Sequence, residues 1–316
     1  MQNKLILKIF LSIFSLIITI LFIEFSLRYY RIGDDERNLL YQHDKDLGWF
    51  PKPNLSYDFT GAFKININHN SLGFRDNEFI DNPGFKNLVF IGDSFAYGYD
   101  SEIHNRFSEL VAKSITNYDI FNLGVSGYST DQEYLLLKKY SKSLNPDTVY
   151  LLYHHNDWHG NSVNHIYYGY HKPYFNLDEE TNNLILKGVP VPKSVNHLKH
   201  EFPIIYKSKI AIWLTNIFYS NKISEIKCNP QITFNILLRL KQYVEKNLNA
   251  EFKIGIVGNG NTPGLNNFLE YNEFDFIHID KNKSKEYYTA TGHWTISGNK
   301  KASEKIVSHL KSTKSF

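Results

Sequence analysis

Cysteine is nearly absent from this sequence, and its scarcity limits the chemistry of the chain. Cys228 is the only cysteine, so the chain forms no internal disulfide and no metal site built from several thiolates. A strong charge of one sign is lacking as well. The formal net charge is +3 over 316 residues, and the lysines are spread along the chain instead of lying in one stripe. We therefore expect no nucleic-acid partner.

Two ligand-binding motifs are also missing. The stretch from Gly255 to Gly264 is rich in glycine, but it lacks the Gly-Lys-Ser/Thr ending of a phosphate-binding loop. His154, His155 and His159 have a spacing that a metal site on a helix could use, yet they follow a strand and show no His-Glu-x-x-His pattern. We expect no metal and no cofactor.

The N-terminus carries one long apolar run. Residues 5–27 are apolar apart from Lys8, Glu24 and a few hydroxylated residues, and a bilayer-spanning helix needs about 20 such residues. A cleavable signal peptide has a similar start, but no Ala-x-Ala-like cleavage site follows. We expect an uncleaved transmembrane anchor over residues 1–28.

Basic residues flank this apolar run on both sides. Lys4 and Lys8 lie on one side and Arg28 and Arg31 on the other, so the positive-inside rule does not choose between the two orientations. The short N-terminal tail and the lack of cysteines in the domain permit an N-inside topology. We expect the domain on the extracytoplasmic side, either periplasmic or outer.

Residues 29–84 are typical of a connector with local structure. The segments 47–54 and 71–76 are rich in turn-forming residues, and residues 64–68 alternate between apolar and polar as a short strand does. We expect this connector to pack on the flank of the main domain and to take no catalytic part.

From residue 85 to the C-terminus, apolar strand patterns alternate with helical ones. The pattern predicts strands at 88–91, 118–123, 148–153, 252–257 and 274–279, and helices at 107–115, 131–140, 232–248 and 296–310. Such alternation favours a doubly wound parallel sheet, in which ligands bind at the carboxyl ends of the strands.

A long insertion at about 158–228 interrupts this alternation. Its first part is crowded with aromatic and histidine side chains, namely Trp158, His159, His165, Tyr167, Tyr168, Tyr170, His171, Tyr174 and Phe175. Residues 204–219 predict an amphipathic helix. We consider the aromatic segment either a wall of the substrate site, on which sugar rings stack, or a self-packed lid or membrane-facing surface.

Four short motifs lie at the predicted carboxyl edge of the sheet. Ser94, within Gly-Asp-Ser, leaves the first strand at a tight turn, where Asp93 holds the turn by local hydrogen bonds. A serine hydroxyl becomes a useful nucleophile only when a base accepts its proton. Gly127 and Asn156 follow the second and third strands, and with the Ser94 N–H they offer three donors for an oxyanion. His293 lies near the C-terminus.

Together these motifs resemble those of the SGNH hydrolases, also called GDSL lipases and esterases, over about residues 85–312. The resemblance implies that Ser94 is the nucleophile, that Gly127 and Asn156 are oxyanion donors, and that His293 is the base. It also implies a flavodoxin-like three-layer α/β/α sandwich with a parallel sheet. The anchored layout is similar to that of bacterial envelope members, several of which modify or deacylate polysaccharides.

The sequence departs from the family pattern at two places. His155 stands where the family usually has Gly before the Asn, which adds bulk beside the predicted oxyanion site. The family also carries an Asp two or three residues before the histidine, where this chain has Thr291 and Ala290. The expected triad acid is therefore missing, and Asp280 or Glu286 is a possible substitute. We regard Asp93, Asp157 and Thr291 as possible supporting residues.

Three hypotheses follow for the function. The first is a serine esterase or deacylase that acts on an ester-bearing substrate, such as a cell-envelope glycan, through a Ser94 acyl-enzyme. The second is an O-acyltransferase that passes the same acyl group to a sugar hydroxyl. The third is a non-catalytic glycan-binding protein that has lost the triad acid.

Overall fold

The structure is a computed structural model of the chain, and it describes residues 2–30, 39–166, 169–178, 180–194, 196–197, 201–202, 207–219, 228–258, 262–280 and 287–312. Its strands, in chain order, are β1 (Tyr41–Asp44), β2 (Gly48–Pro51), β3 (Ser56–Thr60), β4 (Lys64–Asn68), β5 (Lys86–Gly92), β6 (Tyr118–Asn122), β7 (Thr148–His154), β8 (His165–Ile166), β9 (Tyr170–His171), β10 (Tyr174–Leu177), β11 (Leu184–Lys187), β12 (Glu251–Val257) and β13 (Asp275–His278).

The α-helices are α1 (Gln2–Tyr29), α2 (Ser94–Tyr97), α3 (Phe107–Ala112), α4 (Thr130–Leu144), α5 (Asn156–Gly160), α6 (Lys209–Tyr219), α7 (Pro230–Gln242), α8 (Leu265–Tyr271) and α9 (Ile296–Lys311). A 3₁₀ turn at Ile103–Asn105 precedes α3, and a π-helical turn at Tyr243–Asn247 extends α7.

Five of the described strands form one parallel sheet. Their spatial order is β13-β12-β7-β5-β6, and every pairing between them is parallel. Numbered along the chain, this is the order 2-1-3-4-5 of the flavodoxin-like doubly wound fold. The predicted fold class is therefore confirmed, and all five strands lie where the apolar runs predicted them.

Alternate residues of β5 face two different helical layers. Leu88 and Phe90 pack with side chains of α3 and α9, whereas Val89 and Ile91 belong to the larger cluster that contains α4 and α7. Both faces of the central strands are thus buried, which is why these strands are apolar without interruption. The covered sheet leaves its carboxyl edge open for a site.

The N-terminal helix α1 is long and strongly apolar. Among the described residues it is the one helix that is long and apolar enough to cross a membrane, with a mean hydropathy of 2.7 in its most apolar window and none of that window buried. A signal sequence passes the same test of length and composition. This agrees with the predicted apolar helix and does not choose between anchor and signal.

The connector forms two antiparallel hairpins, β1–β2 and β3–β4. Trp49, Phe59 and Ile67 of these hairpins are buried in the same cluster as side chains of β5 and β7. The connector thus packs on the main domain.

The insertion differs from the prediction in its helix. The sequence pattern predicted a helix over 204–219, but α6 begins at Lys209, and residues 203–206 lie outside the described residues. Before it, β8–β9 and β10–β11 form two short hairpins. Tyr170 and Phe175 of the predicted aromatic segment are buried in the core, and Tyr170 lies 5.3 Å from the Trp49 ring centroid. These two residues are therefore self-packed, while Tyr167 and Tyr168 lie outside the described residues.

Candidate active site

Ser94 begins the short helix α2 directly after β5. The Asp93 carboxylate accepts a hydrogen bond of 2.8 Å from the Phe95 N–H and so caps this helix, as the sequence predicted for Asp93. Gly92 makes the tight exit from the strand. A Cβ at this position would lie 2.8 Å from Ala96 Cβ and 3.1 Å from the Leu152 carbonyl oxygen. The half-buried Ser94 is thereby held at the carboxyl edge of the sheet.

The structure brings Ser94 and His293 together across 199 residues of sequence. The Ser94 Oγ and the His293 Nε2 are 2.8 Å apart, which is a hydrogen-bond distance. Only 18% of the His293 side chain is exposed, so the ring has little room to turn. This is the geometry in which an imidazole accepts the proton of a serine hydroxyl.

The other ring nitrogen of His293 faces a group of hydroxyls and one carboxylate. Thr291 Oγ1 lies 3.1 Å from His293 Nδ1 and donates a short hydrogen bond to Asp100 Oδ2. Thr289 Oγ1 also lies 3.0 Å from that oxygen, and Asp100 Oδ2 is 3.6 Å from His293 Nδ1. An acid therefore stands on the far side of the imidazole, at the place that a triad acid occupies.

Asp100 is presented by the loop that follows α2. Its φ is +65°, a left-handed conformation that Asp tolerates better than most residues, and its side chain is fully buried. The Ala62 N–H donates to Oδ1 at 2.8 Å. Burial would raise the pKa of the Asp100 carboxyl, but the neighbouring His293 and the hydrogen bonds from the two threonines and Ala62 lower that pKa below its usual value. Asp100 is thus held as a carboxylate.

This arrangement differs from the sequence prediction, which found no acid at the usual positions before His293 and named Asp280 or Glu286 as a possible substitute. The positions three and two residues before the histidine carry Ala290 and Thr291, and the carboxylate comes instead from the loop after the nucleophile helix. Asp280 is buried, and Glu286 lies outside the described residues. The signal in the sequence was the turn Gly98-Tyr99-Asp100, only six residues after Ser94.

The connector fixes the loop that carries Asp100. The buried Arg75 guanidinium donates to the carbonyl oxygens of Gly98 and Ser101, which flank Asp100 on either side. Burial lowers the Arg75 pKa to about 10, so the side chain stays charged at neutral pH. Together with the Ala62 N–H, the connector thus donates these three hydrogen bonds to Asp100 and its loop.

The predicted oxyanion donors follow β6 and β7, the two strands that pair with β5. Gly127 follows β6 with a φ of +86°, and the loop that carries it is tied to the connector by a 3.3 Å bond from Trp49 Nε1 to the Ser126 carbonyl. Asn156 begins α5, and its Nδ2 donates to Asp93 Oδ2 at 3.0 Å. Because an amide nitrogen carries two hydrogens, one N–H of Asn156 stays available for a substrate oxygen.

Close packing sets the height of the Gly127 loop over the nucleophile helix. A Cβ on Gly124 would lie 2.4 Å from the Tyr97 nitrogen and 2.5 Å from the Ala96 carbonyl carbon. Only glycine lets the two backbones approach this closely. The loop after β6 is thereby placed directly beside α2.

Asp157 belongs to the support of the site rather than to its reacting edge. It is fully buried and accepts hydrogen bonds from Thr130 Oγ1 at 3.2 Å and the His154 N–H at 3.3 Å. Burial and the neighbouring Asp93 charge raise its pKa well above the usual value. Asp157 therefore holds the end of β7 and the start of α4 together through these two hydrogen bonds.

Of the two histidines before Asn156, His154 contacts both the nucleophile helix and its neighbour His155 through ring contacts. The His154 ring centroid lies 4.7 Å from that of Phe95 and 4.0 Å from that of His155. His154 Nδ1 also lies 2.8 Å from Asn156 Oδ1, so it orients the amide whose nitrogen faces Asp93. Over the described residues, no three His, Cys, Asp or Glu side chains converge as metal ligands.

Comparison with known proteins gives a structural likeness and no sequence match. No protein-family model and no curated protein sequence matches this chain. Solved structures similar to it include a G-D-S-L lipolytic protein from Desulfitobacterium hafniense, with a TM-score of 0.44 and 11% identity over 71% of this chain and 99% of that one. A second member of the G-D-S-L lipolytic family, from Veillonella parvula, is similar at a TM-score of 0.42 and 10% identity, over 72% of this chain and 100% of that one.

A lipase/acylhydrolase from Enterococcus faecalis is similar at a TM-score of 0.42 and 12% identity, over 72% of this chain and 96% of that one. Likeness at this level carries no statement about activity. The function of this chain has to be inferred from its own side chains.

Proposed function

We propose that this protein is a serine esterase or deacylase of the SGNH type, in which Ser94 is the nucleophile and His293 the base. The observation that carries the proposal is the 2.8 Å separation of Ser94 Oγ and His293 Nε2 at the carboxyl edge of the sheet. The buried Asp100 carboxylate behind the imidazole supports it, because a serine and histidine so supported form the constellation of acyl-transfer enzymes.

The reaction begins when Ser94 Oγ attacks the carbonyl carbon of an ester. His293 Nε2 takes the hydroxyl proton, and the carbonyl oxygen becomes an oxyanion. The backbone N–H groups of Ser94 and Gly127 and the second N–H of Asn156 are the donors that stabilise this charge. His293 then returns the proton to the leaving alcohol, and the acyl group stays on Ser94 Oγ.

Deacylation repeats the sequence with water. His293 Nε2 removes a proton from the water as its oxygen attacks the acyl carbon, and the proton then passes to Ser94 Oγ. The acid is released and the free serine restored. If a sugar hydroxyl replaces the water, the same steps transfer the acyl group, which is the O-acyltransferase alternative.

Asp100 acts through its contacts with His293. With Nδ1–H donating to Thr291 Oγ1 and Thr291 donating to Asp100, the Nε2 lone pair is free to face Ser94. When the ring becomes an imidazolium, the carboxylate 3.6 Å away stabilises the new charge. A supported histidine of this kind weighs against the non-catalytic hypothesis, whose main support was the apparent loss of the acid.

We also propose that α1 anchors the protein in a membrane with the domain on the extracytoplasmic side. Its length of 28 residues corresponds to about 42 Å of helix, which exceeds the hydrocarbon thickness of about 30 Å. An envelope location is compatible with an acylated glycan as the substrate.

Labelling with a fluorophosphonate probe tests the activated serine. The full chain in detergent is expected to be labelled, and Ser94→Ala to lose the label while keeping its circular dichroism spectrum. Ser126→Ala is a matched control, because Ser126 lies beside Gly127 and has no role in the scheme. Labelling that survives in Ser94→Ala removes Ser94 from the mechanism.

Hydrolysis and transfer are separated by the fate of the acyl group. Incubation with an acetyl ester, alone and with a sugar oligomer as acceptor, should release acetate at the same rate in both cases for an esterase. If the rate of acetate release falls while O-acetyl sugar is formed, the result supports the transferase.

A further inference from the structure

Glu24 is the acidic residue within the apolar run of α1, and neither the catalytic site nor the anchor accounts for it. Its carboxylate accepts hydrogen bonds from the backbone N–H groups of Lys209 at 2.9 Å and Ile210 at 3.0 Å. Ser208 Oγ donates to it at 3.2 Å and accepts from the Ala211 N–H at 3.2 Å. Glu24 thus caps the first turn of α6 from another helix.

The cap satisfies two groups that are costly near lipid. The first N–H groups of a helix have no partner within the helix, and a carboxylate inside a membrane-spanning segment needs a partner as well. Arg28 strengthens the contact, since it lies 2.7 Å from Glu24 and donates to the Lys207 carbonyl oxygen. The two helices are therefore joined by polar contacts that both of them require.

This contact fixes the depth of α6 relative to α1. Glu24 lies three residues before the end of the apolar run at Leu27, a distance of about 4.5 Å along a helix axis. If α1 spans a bilayer, the first turn of α6 lies at the boundary between hydrocarbon and headgroups.

The composition and length of α6 suit that boundary. Its sequence Lys-Ile-Ala-Ile-Trp-Leu-Thr-Asn-Ile-Phe-Tyr is apolar with aromatic residues and one basic residue at its start. Eleven residues extend about 16 Å, which is too short to cross a bilayer. Trp213 and Leu214 stay 41% and 39% exposed, and tryptophan is enriched at membrane interfaces.

We propose that α6 is an interfacial helix that lies against the lipid surface beside α1, latched there by Glu24. The proposal rests on the proposed membrane anchoring. The bilayer is the proposed partner of this helix, because the contact with Glu24 places the start of α6 beside α1, whose own apolar side chains are exposed. The second contact would hold the catalytic domain in one orientation over the membrane.

Trp213 gives a direct readout of this contact. The full chain is reconstituted in vesicles of phosphatidylcholine and phosphatidylglycerol, with or without lipids brominated near the headgroups or near the bilayer centre. The difference between the wild type and Trp213→Phe gives the contribution of Trp213, because Trp49, Trp158 and Trp294 are present in both proteins. We expect shallow bromines to quench this contribution at least about twofold and deep bromines to quench it less.

The variant Glu24→Ala tests the latch, with Glu245→Ala as a control at an exposed carboxylate of the domain. We expect Glu24→Ala to lose the Trp213 quenching and Glu245→Ala to keep it. Equal quenching of the wild type and Trp213→Phe, in protein that resists alkaline carbonate extraction, overturns the lipid contact. Full quenching in Glu24→Ala overturns the latch.

Two further measurements separate this proposal from those on which it depends. Release of the chain by carbonate contradicts the proposed membrane anchoring, and the proposed lipid contact of α6 is then also wrong. Labelling of Ser94 by fluorophosphonate in the same vesicles reports the catalytic site. If the wild type is labelled but its Trp213 is not quenched, the result counts against the lipid contact of α6 and leaves the proposed function intact.

Discussion

Two histidines, one at each edge of the sheet, link a hydroxyl to a carboxylate. His293 joins Ser94 to Asp100 through Thr291 at the carboxyl edge. His309, on α9, lies 2.9 Å from Tyr150 Oη through Nδ1 and 2.6 Å from Asp275 Oδ1 through Nε2 at the other edge. The chemical groups are alike, but the burial of the hydroxyl and of the carboxylate is reversed between the two sites.

At the carboxyl edge the carboxylate is buried and the hydroxyl faces outward. At the amino edge the Asp275 side chain is 43% exposed, while Tyr150 is completely buried. Burial and the Asp275 charge raise the Tyr150 pKa well above its usual value. Ser94 is only half-buried, whereas Tyr150 has no exposed surface. A hydroxyl, a histidine and a carboxylate can therefore act on a substrate only where the hydroxyl is the exposed member. The group around His309 serves as a control within the same molecule.

The largest contrast is expected from removing each histidine. His293→Ala should lower kcat/KM for an acetyl ester by about 10⁴-fold or more, because the serine then has no base. His309→Ala should stay within about twofold once its folded fraction is corrected by circular dichroism. Similar losses in both variants would mean that His293 acts only through stability.

A smaller effect is expected from moving the acid along the chain. In an Asp100→Asn background, Thr291→Asp should restore about 10- to 100-fold of the lost kcat/KM, because it returns one carboxylate to the Nδ1 side. In the wild type the same change should bring no gain, since a second carboxylate beside Asp100 is repelled by it. A clear gain in the wild-type background would show that Asp100 does not already support His293.

The smallest effect concerns stability at the amino edge. Hydrogen bonds and charges from His309 and Lys253 outweigh burial and lower the Asp275 pKa to about 2. A lowered folded-state pKa adds stability above the unfolded value near 3.8 that is lost as the pH falls toward about 2. Asp275→Asn should therefore lower the free energy of unfolding by about 1 kcal/mol at pH 7, after allowance for exposure.

Urea denaturation at a series of pH values checks this expectation. The difference between Asp275→Asn and the wild type should shrink steadily below about pH 4. A difference that is constant over the whole range would assign the loss to packing instead of charge.

The sequence predicted the sheet and two members of the site for a local reason. Uninterrupted apolar runs such as residues 88–91 predict buried strands directly. Ser94 follows this predicted strand, and His293 shortly precedes the predicted helix at 296–310. Asp100 was missed because its contact with Thr291 spans 191 residues of sequence and depends on a left-handed turn. Nothing in local periodicity shows that this turn faces the histidine loop.

The supporting role of the connector was also beyond local patterns. Its packing on the domain follows from its apolar residues, but the contacts of Arg75 and Ala62 with the Asp100 loop require the folded arrangement. In the insertion, composition could not tell the buried Tyr170 from a substrate-facing ring, since both are aromatic.

The most direct test of the account is the rate at which fluorophosphonate labels Ser94 in Asp100→Asn and in Asp275→Asn, measured side by side on the full chain at neutral pH. Both changes replace the carboxylate that faces a histidine by its isosteric amide. We predict that Asp100→Asn slows labelling by about 100-fold or more and that Asp275→Asn stays within about twofold. Equal rates in the two folded variants would contradict the claim that Asp100 completes the site.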